Sequence, residues 1–404
     1  MKPVTLIDRL LRARAWAKFR LACCIVSALS MALLTSDVRA APPPKVPRGK
    51  TMAPSMAITR PIKFAPAEVA LRELAPRLKE LAATPVWLDE RALREAGIPL
   101  DRKLTLDGQF PTLSAALDAI LPPSGLDWLT TGGVLTVTSA EYADQALETV
   151  VYRLAQPANP KSYDELIEGV TQVDPKRWAE NGGLGMWSDL APDLIVVAQT
   201  RHVHAQIVAA WSKLLQPIPT SEFKNPKPIL AGWAPIQRAL PKPTGGKFQN
   251  KPLGEALAKI STDAKLPISL DNERLGPAGV AADKPVSLDL EGVPLGTLLA
   301  CLLRPLELAI VPERQGLNVT TALEAEERLF KVQFPVGDLA TRNTPEELTA
   351  LITRTIEPPQ WAGVGGPSKI EYAANNDMLV GECSFDVALR IERLLTAVRA
   401  ARSP

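Results

Sequence analysis

The stretch KLTLDGQFPTLSAALDAILPPSGLDWLTTGGVLTVTSA, residues 103–140, has a counterpart in PVSLDLEGVPLGTLLACLLRPLELAIVPERQGLNVTTA, residues 285–322. At a constant offset of 182 and without a gap, Leu104 meets Val286, Leu113 meets Leu295, Leu126 meets Leu308 and Val137 meets Val319. Each stretch reads as an alternating strand, a leucine-spaced helix and a hairpin, the first turning at Gly132-Gly133. A pattern that changes from period 2 to helical spacing and back describes a small sheet covered by a helix.

Working outward, the same offset pairs Pro85 with Pro267, Leu88-Asp89 with Leu270-Asp271, and Gly97 with Gly279. Further on it drifts to 183, where Trp178-Ala179 and Gly182-Gly183 meet Trp361-Ala362 and Gly365-Gly366, and then to 184, where Ile207 meets Ile391. Such drift is what single-residue insertions in loops produce. The chain therefore reads as α+β: two tandem copies of a unit made of two small α/β modules. Copy one spans 60–217, with modules 60–140 and 148–217; copy two spans 246–402, with modules 246–322 and 328–402. The proline-rich stretch 218–245 reads as an extended linker and 41–59 as a flexible segment. Units of this size are large enough to have cores of their own, so each copy is expected to fold alone.

In the second module of copy one the pattern gives a strand at 150–154, a helix at 163–170, the Trp/Gly-Gly loop, a strand at 194–198 and a helix from His202 to Leu215. In the first module, apolar residues from Val69 to Leu81 fall at helical spacing.

Residues 1–40 read as a signal peptide: six basic residues between Lys2 and Arg20, an apolar run from Leu21 to Thr35, then Val38-Arg39-Ala40. The run is shorter than the ~20 residues of a membrane span, although an uncleaved anchor is the alternative. The expected location is the periplasm or another extracytoplasmic space, with no membrane span after cleavage. The leader holds seven of the 46 basic and two of the 44 acidic residues, which leaves 39 against 42, net −3. That balance gives no electrostatic footprint for nucleic acid. Two of the four cysteines leave with the leader, and Cys301 and Cys383 read as buried free thiols.

The strand LTLDGQF, the helix TLSAALDAIL and the hairpin LDWLTTGGVLTVTS resemble the short N-terminal domain of secretins and TonB-dependent receptors. The stretch 286–321 does so too, and DLIVVAQTRHVHAQIVAAWSKLL resembles the ending of the α/β modules that follow in secretin N-terminal regions. No barrel-forming region follows these modules in the sequence, so an outer-membrane pore is not expected. The resemblance implies an exported, non-catalytic module that binds proteins or builds assemblies in the bacterial envelope.

The polar residues were weighed as chemistry. His202 and His204 are the only histidines and have no evident third ligand, so no metal or cofactor is expected. Asp89 and Asp271 sit where helix caps belong. The most specific shared motif is Trp178 with Gly182 and Gly183, matched by Trp361 with Gly365 and Gly366. It marks either a packed tryptophan on a glycine turn or an aromatic platform for a peptide or glycan. The leading expectation is a module with no enzymatic activity that engages envelope proteins by strand addition at sheet edges and leaves self-association open. The alternative is an envelope glycan- or peptide-binding protein, or an enzyme, built on the Trp/Gly-Gly loops.

Overall fold

The computed structural model describes residues 54–155, 160–190, 193–218, 229, 231–314, 316–340 and 344–402. The signal peptide and the start of the segment that follows it lie outside the described residues, as does most of 219–230. The chain is mixed α/β with small sheets of two to four strands. Among the described residues no helix is long and apolar enough to cross a membrane.

The first half opens with α1 (Pro54–Ala57), β1 (Ile62–Ala70), α2 (Leu71–Ala82), β2 (Val86–Leu88), α3 (Glu90–Glu95), β3 (Lys103–Phe110) and α4 (Leu113–Ile120). A hairpin of β4 (Leu126–Thr131) and β5 (Val134–Ser139) and the short α5 (Ala140–Ala143) close this module. Strands β1 and β3 form an antiparallel ribbon, while β2, β5 and β4 form a second sheet. Leu71, Leu74 and Leu78 share one face of α2 and pack with Leu113 and Leu117 of α4 between the two sheets. The second module holds β6 (Glu148–Leu154), α6 (Pro160–Thr171), β7 (Met186–Leu190), β8 (Leu194–Gln199), α7 (Arg201–Trp211) and β9 (Leu215–Ile218), with sheet order β7-β8-β6-β9.

The second half contains α8 (Ala234–Ala239), β10 (Pro243–Pro252), α9 (Leu253–Ala264), β11 (Ile268–Leu270), α10 (Asn272–Leu275), β12 (Pro285–Pro294), α11 (Leu295–Leu303), β13 (Leu308–Glu313), β14 (Gly316–Thr321) and α12 (Ala322–Glu327). It ends with β15 (Phe330–Pro335), α13 (Pro345–Thr355), β16 (Lys369–Ala373), β17 (Met378–Cys383) and α14 (Phe385–Arg402). Register recurs with the elements. Val86 pairs with Leu135 and Ile268 with Leu317; Val69 pairs with Leu104 and Lys251 with Val286.

Four sequence expectations need correction. Residues 234–245 do not form an extended linker: α8 corresponds to α1 and β10 to β1. Arg60 N donates to Ala57 O at 3.1 Å, and Lys242 N to Ala239 O at 3.0 Å. Just before α8, Trp233 packs edge-on against Phe330 and Phe385 with centroids 5.2 and 5.1 Å apart. Likewise, the described end of the 41–59 segment is not loose, since it carries α1 and buries Ala57. The helix read from Val69 to Leu81 starts at Leu71, because Val69 belongs to β1, and Leu81 is exposed.

The fourth correction is the largest. The first half keeps two apolar clusters of its own, but a third is shared between the halves, and the described residues fall in one compact unit. One face of the β6–β9 sheet packs Tyr152, Ile195 and Val197 against its own α6 and α7. The opposite face presents Val151, Leu190, Leu194 and Val196, which join Leu348, Leu351 and Ile352 of α13 in a single apolar cluster. Helix α14, buried along most of its length, lies against β6 and against its own β15. The second modules thus stack as helices, sheet, helices, sheet, and the inner helix layer belongs to the second half while covering a sheet of the first.

Candidate functional site

The Trp/Gly-Gly loops were the sharpest candidates, and the two are built alike. Each starts from a residue in the left-handed region, Asp174 at φ 46° and Glu357 at φ 41°, followed by a proline-led single turn. Ala179 N donates to Gly185 O and Gly185 N to Arg177 O, both at 2.8 Å; Ala362 and Ser368, with Gln360, repeat this at 2.8 Å. Trp178 and Trp361 are 1% and 4% exposed. Their indole Nε1 atoms donate to Val173 O at 2.8 Å and Ile356 O at 2.7 Å. Gly182 and Gly365 adopt φ 86° and 92°, and a Cβ on Gly183 or Gly366 would collide with the backbone of Arg177 or Gln360. Neither loop therefore offers an aromatic face to a glycan or peptide. The indoles pack, and the glycines permit the turn that seats them.

The other polar candidates also serve the fold. Asp89 accepts from Ala92 N, and Asp271 from Arg274 N, as helix caps do. His204 Nδ1 lies 2.8 Å from Tyr152 Oη and Nε2 lies 2.8 Å from Glu148 O. A carbonyl only accepts, so Nε2 carries the proton and Nδ1 accepts from Tyr152. Burial pushes His204 down to about 4, against the hydrogen bonds to the Glu148 and Gln199 carbonyls. His202 lies on the surface side, 2.7 Å from Asp127. Asp127 also accepts from Arg201 at 2.9 Å, and the Arg201 guanidinium lies 4.0 Å over the Trp128 ring. Burial works to raise the Asp127 carboxyl; the His202 hydrogen bond, the Trp128 amide and the Arg201 charge outweigh it and hold it below its ordinary value. These contacts fasten α7 to β4, one module to the other. Cys301 and Cys383 are buried free thiols, and burial pushes each up to about 12.

The joint between the halves is the site the sequence reading missed. Arg304 Nη2 lies 3.1 Å from Asp89 Oδ2, and its guanidinium lies 4.2 Å over the Tyr142 ring. Thr297 Oγ1 donates to Gly132 O at 2.8 Å, and Thr149 Oγ1 to Thr355 O at 3.2 Å. Each of these pairs joins residues more than 160 apart in the chain, so no local pattern signals them.

Apart from the three-residue edges β2 and β11, one corresponding pair of edge strands carries no proline in either half. Among the described residues β7 pairs only with β8, and β16 only with β17, and neither carries a proline. By contrast β13 and β15, also at sheet edges, carry Pro312 and Pro335.

The fold defines a mixed α/β protein built of small sheets of two to four strands. No family model and no curated protein matches the chain. A solved structure described as "The crystal structure of enterotoxigenic Escherichia coli GspC-GspD complex from the type II secretion system" is similar at 14% identity, over 39% of this chain and 98% of that one. Its TM-score of 0.15 gives the superposition no weight for fold or function.

Proposed function

We propose that this chain is a non-catalytic interaction or assembly module of the bacterial envelope, exported by its leader, which takes up strands of partner proteins along β7 and β16. The observation that carries this reading is the pair of proline-free edge strands, β7 and β16, each with a single strand partner among the described residues. An edge strand exposes N–H and C=O groups that template another strand, and proline is a common device against it. The residues common to both halves are apolar, capping and turn residues, and both histidines are engaged in packing contacts. This supports a scaffold over an enzyme.

The test is capture from envelope extracts by the mature chain, with partners identified by cross-linking. Trp187→Pro and Ile370→Pro, at equivalent positions of the two strands, remove an outward-facing donor from each edge and should abolish capture. His202→Ala should leave it intact. Capture that survives both edge prolines and is lost with His202 would overturn the reading.

A further inference from the structure

We propose that the chain is a stack closed at two units: the surface that receives the second half on the first is remade on the second half, so that neither a third unit nor a second copy of the chain docks there. A head-to-tail joint of this kind is not self-complementary. Repeated between chains it would grow a ring or a filament, and repeat stacks commonly end in units with polar outer faces.

The internal joint shows what docking requires, and the corresponding positions of the other half show what replaces it. At the hairpin tip, Gly132 lies so close to Thr297 that a Cβ there would collide with Thr297 Oγ1. The corresponding residue on the open end is Arg314. Gly132 has φ 57° and Arg314 has φ 49°, so the two share the left-handed conformation while their side chains differ. Trp87, packed into the shared core, gives way to Ser269 beside that tip, in an open hollow of about 570 Å³ that Arg314 and Gly316 also line. On the sheet, Thr149 and Val151 lie under the covering helices, whereas Lys331 and Gln333 at their places face solvent. Glu382 stands where Ala198 is buried.

The approaching side is altered as well. A second chain would bring Ala115 in place of Thr297 and Pro122 in place of Arg304, so neither the hydrogen bond to a hairpin tip nor an ion pair with Asp271 could form. With Leu166 set on Leu351, its α6 would bring the exposed Glu165 and Glu168 where Ala350 and Thr353 lie. Burying those carboxylates on a sheet face without partners is costly. Changes at both surfaces therefore bar the contact that the two halves make with each other.

Analytical ultracentrifugation of the mature chain should return the mass of one chain at all concentrations. Carrying the barring residue inward, Gly132→Arg should open the joint: a larger radius of gyration by X-ray scattering and several-fold faster proteolysis between the halves, with the far-ultraviolet circular dichroism retained. Arg314→Gly, at a tip already in solvent, should change neither. If Gly132→Arg fails to fold, Arg304→Ala, which removes the cation beside buried Asp89, should give the same opening. A mass that climbs with concentration and is unaffected by Arg314→Gly, or an unchanged radius of gyration in both joint variants, would overturn the proposal.

Discussion

His204 is buried and neutral, held between the Tyr152 hydroxyl and the Glu148 carbonyl, and its position makes stability depend on pH. Its pKa falls from 6.5 to about 4 on folding. Between those values the unfolded chain takes up a proton that the folded chain refuses. Stability is therefore full above pH ~6.5, declines as pH falls and levels off below ~4, an effect of about 3 kcal/mol at most. Urea melts from pH 7.5 to 4.5 should show this slope, and His204→Gln, less stable at pH 7, should lack it. A second residue pair shows how corresponding sites diverge together. Gly185 leaves room for the Gln199 side chain, whose Nε2 donates to Arg177 O at 3.0 Å. The other half has Ser368 and Cys383 in these places. Gly185→Ser alone should cost about 1–3 kcal/mol by overpacking. Adding Gln199→Cys should recover part of that, with a coupling on the order of 1 kcal/mol in a double-mutant cycle. Additive effects would mean that the two residues do not share space.

At the scale of elements, the leucine-spaced helices were the most legible parts of the sequence. Leu117 on α4 and Leu302 on α11 are 2% and 3% exposed, on the faces that the spacing assigns to the core. Truncation of either to alanine should destabilise by about 2–5 kcal/mol, read as a lower denaturation midpoint at unchanged slope. The caps at Asp89 and Asp271 were legible for the same reason, since a short acceptor before a helical run has a local purpose. Strands β1 and β10 were not legible. Their ladders break register between Phe64 and Ala67 and between Phe248 and Lys251, which spoils the alternation that marks a strand. Moreover, β10 begins Pro-Thr-Gly-Gly, which reads as a turn. Strand β9 was absorbed into the preceding helix because Leu214 and Leu215 continue its apolar spacing. The Trp/Gly-Gly motif was found by its repetition, but repetition cannot tell a packed indole from an exposed one. Only burial and the bonded Nε1 atoms decide that.

For the whole molecule, the mixed α/β class was legible and the layer shared between the halves was not. A duplicated pattern suggests independent units, yet Val151, Leu190, Leu194 and Val196 are covered by helices that lie almost two hundred residues away. The strand β8, LIVVAQ, is buried on both faces, and this is why it reads as a continuous apolar run rather than an alternating one. That run was the available signal of a second covering layer. Separating the halves would bare four aliphatic side chains, each worth about 1.5–3 kcal/mol when buried, and would leave Asp89 buried without Arg304. A domain of ordinary stability, about 5–15 kcal/mol, does not absorb both losses. Expressed alone, residues 54–218 should give poorly dispersed amide spectra or aggregate, because the bared sheet face is apolar. Residues 229–402 lose the cover over α13 and α14 and should show weakened protection there. Co-expression of the two fragments should restore a soluble complex with the dispersion of the intact chain. Well-dispersed spectra from residues 54–218 alone would mean that the shared layer adds little to the stability of the first half and that the two units are joined beads rather than one stack.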